Sequence, residues 1–243
     1  LKVCDFREYL DLPDCDGSGK AHADDFISSA PEITFEHVCF RYDGAENNTL
    51  YDINFTFRPG ERIALVGMNG AGKTTLVKLL CGLYKPTSGD IKINGVSVND
   101  FCRDDYYRLF SPVFQDVQTA FFSLAETVAG TLGGEVDKRR AEECMRKAGL
   151  GTKIDSLPDG IDTKLDKQVN KNGIELSGGE AQKLMMARAL YKDAPVLVLD
   201  EPTAALDPIA ENEIYLHYRD MTAGKTSLFI SHRLASTQFC DKV

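Results

Sequence analysis

Residues 62–80 read "RIALVGMNGAGKTTLVKLL", and no other stretch narrows the possible folds as much. The apolar run from Ile63 to Val66 suits a strand buried on both faces. Glycines at 67, 70 and 72 then break the strand into a loop, and "KTTLVKLL" resumes with the character of a helix. Gly67 to Thr74 fits the pattern G-x-x-x-x-G-K-[ST]. In a strand-loop-helix frame, the backbone N–H groups of Asn69, Gly70, Ala71 and Gly72 can wrap a phosphate at the positive end of the helix. Lys73 brings a cation to the β and γ oxygens, the Thr74 hydroxyl is placed for Mg²⁺, and Thr75 completes the turn. The pattern implies a nucleoside triphosphate site in an α/β domain.

A second stretch supplies what such a site needs. "VLVLDE" places Asp200 at the carboxyl end of a buried strand, within reach of a metal held by Thr74. Glu201 puts a second carboxylate beside an anionic ligand, which is costly unless it polarises an attacking water.

Far downstream of the loop, "LSGGEAQKLMMARAL" begins at Leu176 with a serine and two glycines and continues as a helix. Ser177 with Glu180 fits a capping box, which would satisfy the first orphan N–H groups of that helix. Gly178 and Gly179 each cost about 1 kcal/mol relative to alanine inside a helix. Their compensation is close approach of a phosphate to a backbone without Cβ. "LSGG" offers N–H groups and a hydroxyl but no lysine, so alone it is a weak anion site.

Around these motifs, "ITFEHVCFRY" and "LYDINFTF" alternate as strands, "GDIKINGVSV" reads as a hairpin turning at Asn94–Gly95, and strands return at "PVLVLD" and "TSLFIS". Residues from about 120 to 192, with "LAETVAGTL" and "DKRRAEECMRKAGL", read as an inserted helical subdomain. "DFREYLDL" has short amphipathic spacing, and the Gly-, Ser- and Asp-rich run after it reads as a linker up to residue 31. With 28 Lys and Arg against 37 Asp and Glu, the net charge of −9 gives no general attraction to nucleic acid or anionic lipid. The seven scattered cysteines contain no C-x-x-C pair and match neither a disulfide framework nor a zinc site. No apolar run approaches the 18 residues expected of a membrane span.

Together, "GMNGAGKT", "LSGGE" at 176–180 and "LDEPTAALD" at 199–207 resemble the nucleotide-binding domain of an ABC ATPase over residues 32–243. The resemblance implies a P-loop core with an antiparallel β subdomain and an inserted α-helical subdomain. It also implies two domains packed head to tail, so that Ser177, Gly178 and Gly179 of one close over the γ-phosphate held by the other. Two ATP molecules with Mg²⁺ would then be shared between two subunits. By the same resemblance Tyr42 stacks on adenine, Gln115 contacts the metal and the attacking water, and His232 is the switch histidine near the γ-phosphate. Asp207 belongs to the loop that crosses the dimer interface. Catalysis would fall to Glu201, His232, Gln115 and Lys73, and metal binding to Thr74, Gln115 and Asp200.

The segment "DFREYLDLPD" and the spacing in "LPDGIDTKLDKQVNKNGIELSGGE" are similar to exporter-type half-transporters, whose domain sits at the cytoplasmic face of a membrane (the inner membrane in a bacterium). The implied partners are a second nucleotide-binding domain, in the same or a different chain, and a transmembrane domain, through which alone a membrane is met. Nucleic acid is not an expected partner. A separate ATP-binding subunit of an importer would share the motifs but have no use for the first 31 residues. A soluble ABC ATPase acting on DNA or ribosomes would carry basic extensions or long coiled coils. Three departures stand out: Lys171 where many exporters are acidic, Glu180 where glutamine is common, and an ending at "FCDKV" that reads as the start of one more strand.

Overall fold

The computed structural model describes residues 21–115, 121–131, 133–167, 169–201, 218, 221–231 and 240–243. Two four-stranded sheets organise them. β1 (Ile33–Phe40), β2 (Leu50–Phe57), β4 (Ser88–Ile93) and β5 (Val96–Ser97) form an antiparallel sheet in the order β2-β1-β4-β5. β3 (Arg62–Leu65), β6 (Phe110–Val113), β7 (Val196–Asp200) and β8 (Thr226–Ile230) form a parallel sheet in the order β3-β8-β7-β6. The β4–β5 connection is the expected hairpin: Asn94 and Gly95 both adopt positive φ, 48° and 82°, as a two-residue type I′ turn requires.

Every residue of β7 and β8 is buried, which is why both read as apolar runs rather than alternating ones. Leu65 of β3 and Asp200 of β7 share one register partner, Ile230 of β8. That common register brings the carboxyl ends of β3 and β7 to the same edge of the sheet, where open α/β sheets hold their ligands. Beyond β3, the backbone of Lys242 pairs in parallel with Ile63, and Arg62 holds Asp241 in an ion pair at 2.8 Å.

Seven helices lie among the described residues: α1 (Asp24–Ile27), α2 (Lys73–Leu80), α3 (Arg103–Arg108), α4 (Leu124–Ala129), α5 (Lys138–Lys147), α6 (Gly151–Asp155) and α7 (Gly178–Lys192). One core joins α2 to the antiparallel sheet and to one face of the parallel sheet, through Val77, Leu80, Phe35, Ile91 and Val198. A second core packs α4, α5 and α7 onto the opposite face, through Met145, Leu184, Leu197 and Phe229. Leu184, Met186 and Ala187 are fully buried, so α7 is a rigid post carrying "SGG" at its outer end.

One feature departs from the sequence expectation, and one strand has no forerunner in it. Residues up to 31 have linker composition, yet Ala23 and Phe26 of the described part are buried in the first core. The Phe26 ring lies 5.2 Å from Phe101, and His22 and Asp24 pair with Asp105 and Arg108 of α3 at 3.0 and 2.6 Å. Two apolar residues within a polar run are too few to register as periodicity, but they suffice to dock one turn of helix. The strand is β6, whose sequence "FSPV" contains a proline. Pro112 is tolerated because β6 is an edge strand of the sheet.

Candidate functional site

A cleft of about 520 Å³ opens where the β3 and β7 ends meet the first turn of α2. Tyr42, Asn69, Gly70, Gly72, Lys73, Thr74, Thr75, Gln115 and Glu201 all line it, although they come from four separate stretches of the chain. Thr49 also lines it and carried no motif to mark it in the sequence. Gly67 and Ala71 belong to the loop but not to the cleft wall, and Ala71 N–H donates to the Met68 carbonyl at 3.2 Å.

The loop's shape is dictated by its glycines. Gly70 and Gly72 have φ of 80° and 89°, and a Cβ on Gly72 would lie 2.8 Å from Cδ2 of Leu50. Gly72→Ala is therefore expected to lose about 1–2 kcal/mol from the left-handed backbone alone. A chemical denaturation curve measures the loss, and an unchanged midpoint would contradict it.

Lys73 begins α2 and is buried, 8% exposed. Its ammonium donates to the carbonyls of Gly67 and Met68 at 2.9 and 3.0 Å. An ammonium has three N–H donors, so these two bonds hold the cation over the loop and leave one to spare. Tyr42 meets Phe40 and Tyr84 edge-on at 4.9 and 5.5 Å, and its hydroxyl shares a 2.9 Å hydrogen bond with Thr75 Oγ1. These contacts fix the ring in the wall of the cleft.

Asp200 ends β7 next to Glu201 of the cleft wall, 1% exposed, and among the described residues neither carboxylate oxygen has a hydrogen-bond partner. Burial pushes its carboxyl above the ordinary value. The Thr74 hydroxyl, close but outside hydrogen-bonding geometry, opposes the shift, Glu201 adds to it, and Lys73 opposes it weakly. A buried carboxylate with both oxygens unpaired is expensive in a folded chain. A divalent cation shared with Thr74 would remove that expense, so the donor set fits Mg²⁺. Among the described residues no cluster of three His, Cys, Asp or Glu could hold a metal by itself. Such a site would need oxygens from the phosphates.

Glu201 follows directly and adopts φ of 49°, a left-handed backbone rare for a non-glycine residue. Its N–H donates to the Ile230 carbonyl at 3.0 Å, which ties the turn to β8. The strained turn at the strand end places Glu201 in the cleft wall while Asp200 stays buried.

Ser177, Gly178 and Gly179 are not among the residues lining this cleft. They cap α7 as a complete box: Ser177 N–H donates to Glu180 Oε2 at 2.8 Å, and Glu180 N–H donates to Ser177 Oγ at 3.3 Å. The Ser177 hydroxyl also donates to Glu180 Oε2 at 3.1 Å. Ser177 and Gly178 are exposed, so the first turn of α7 is open to an incoming group. His232 and Asp207 lie outside the described residues.

A glycine loop at the end of β3, an acidic pair at the end of β7 and a parallel sheet between them define a mixed α/β nucleotide-binding fold of the phosphate-loop class. The ABC transporter family model matches residues 50–204, and the chain belongs to that family. It is 39% identical over 232 residues to the ATP-dependent lipid A-core flippase of Burkholderia pseudomallei strain 1710b, covering 94% of this chain and 37% of that protein. Identity to the subtilin transport ATP-binding protein SpaT of Bacillus subtilis is 34% over 239 residues, covering 97% and 38%. Among solved structures, a bacterial Atm1-family ABC exporter with ATP bound superposes with a TM-score of 0.77 at 32% identity, covering 87% of this chain and 36% of that one. The chain thus spans little more than a third of the length of these relatives.

Proposed function

We propose that this chain is the ATP-binding and ATP-hydrolysing motor domain of an exporter-type ABC transporter, acting at the cytoplasmic face of a membrane. It works as one of a pair of such domains coupled to a transmembrane domain. One observation carries the proposal: Tyr42, Lys73, Thr74, Gln115 and Glu201 converge on a single cleft next to Asp200, whose carboxylate has no hydrogen-bond partner among the described residues. The exporter assignment is supported by the similarity to a flippase and to an Atm1-family exporter.

In this function Tyr42 stacks on the adenine, and the N–H groups of residues 69–74 wrap the phosphates. Thr74, Gln115 and Asp200 would hold a Mg²⁺, whose charge would offset that of the phosphate oxygens. Glu201 orients a water for in-line attack on the γ-phosphate and takes its proton, and Lys73 and His232 balance the charge that develops. Ser177, Gly178 and Gly179 act on the ATP of the opposing domain.

The test is phosphate release from ATP and equilibrium ATP binding by the intact protein in Mg²⁺, each compared with a Lys73→Met variant. A charge-assisted hydrogen bond is worth about 1.5–3 kcal/mol, so ATP affinity should fall by at least about tenfold in the variant. Unchanged affinity would remove Lys73 from the site.

A further inference from the structure

The cap of α7 holds a full negative charge where the proposed site needs a positive one. A helix N-terminus offers the equivalent of about half a positive charge, and one carboxylate in the first turn more than cancels it. The Glu180 carboxylate is bonded to the N–H and hydroxyl of Ser177, so it stands within the same turn that would receive the γ-phosphate of the opposing domain. Left alone, it would repel that phosphate.

It is not left alone. Lys153, in the last turn of α6, places its ammonium 3.0 Å from Glu180 Oε1, and both side chains are only 29% exposed. Adding this cation returns the end of α7 to a net positive charge of about one half. The two Glu180 oxygens also divide the work: Oε2 faces Ser177 and Oε1 faces Lys153. When the Ser177 hydroxyl turns its proton towards a phosphate, Glu180 keeps the Ser177 N–H and the lysine, and the cap survives.

We infer that Lys153 is a positioning residue for the composite ATP site: it neutralises Glu180 so that the first turn of α7 can accept a phosphate from the opposing domain. The inference rests on the proposed role of Ser177 in trans.

The test is the ATP dependence of hydrolysis by the intact protein in four variants: Lys153→Met, Lys153→Arg, Lys153→Met combined with Glu180→Gln, and Ser177→Ala. Lys153→Met should raise KM for ATP about three- to tenfold with a smaller change in kcat, as expected for an uncompensated, partly screened charge. Lys153→Arg and the double variant should both return close to the wild-type KM. A Lys153→Met protein with wild-type KM would overturn the inference. So would a double variant as impaired as the single one, because the lysine would then serve only packing. Ser177→Ala separates the two levels. If it behaves as wild type, the composite site itself fails; if it is impaired while Lys153→Met is not, only the lysine's role fails.

Discussion

Glu201→Gln is expected to bind ATP as tightly as the wild type and to hydrolyse it at least about a hundredfold more slowly, the loss typical of removing a general base. The amide keeps the size of the side chain and the turn at φ of 49°, but it cannot take a proton from water. Its effect is isolated kinetically: nucleotide affinity by equilibrium binding, turnover by phosphate release. Turnover within a few-fold of wild type would show that another group activates the water. Loss of binding would show that Glu201 holds the cleft together rather than serving chemistry.

Asp200→Asn is expected to separate activity from stability. Metal-dependent turnover should fall by about a hundredfold or more, since a charged ligand to a catalytic cation is worth several kcal/mol. Thermal stability without nucleotide should hold or rise, because the substitution removes a buried charge whose oxygens have no partner among the described residues. The pH dependence gives the sign. Burial raises the folded-state carboxyl above its ordinary value, so the native chain holds that proton more tightly than the unfolded chain. Stability is lost as pH rises from the ordinary carboxylate range through the raised value. The asparagine variant should lack that loss. A variant less stable than wild type at neutral pH would mean that the carboxylate has a structural partner.

Much of this site is written locally. The glycine loop is legible because positive φ at Gly70 and Gly72 and the helix at Lys73 are properties of adjacent residues. The Asn94–Gly95 hairpin and the Ser177–Glu180 capping box are legible for the same reason. Tyr42, Thr49 and Gln115 are different. Nothing in "FRYDG" or "VFQD" brings them together; the register of β1 with β2 and of β6 with β7 does. Tyr42 and Gln115 were reached only through resemblance to a family, and Thr49 was missed. Lys153 was equally invisible, because its partner lies across a contact between α6 and the start of α7 rather than at helical spacing. Docking of residues 21–27 escaped for the opposite reason: the composition is polar, and two buried side chains outweigh it.

The most direct measurement is sedimentation of the Glu201→Gln chain with Mg-ATP and with Mg-ADP. Two clefts that each need the α7 cap of the other chain predict a dimer holding two ATP, and monomers in ADP. A chain that binds one ATP per molecule with full affinity and remains monomeric would contradict a composite site shared between two copies of this chain.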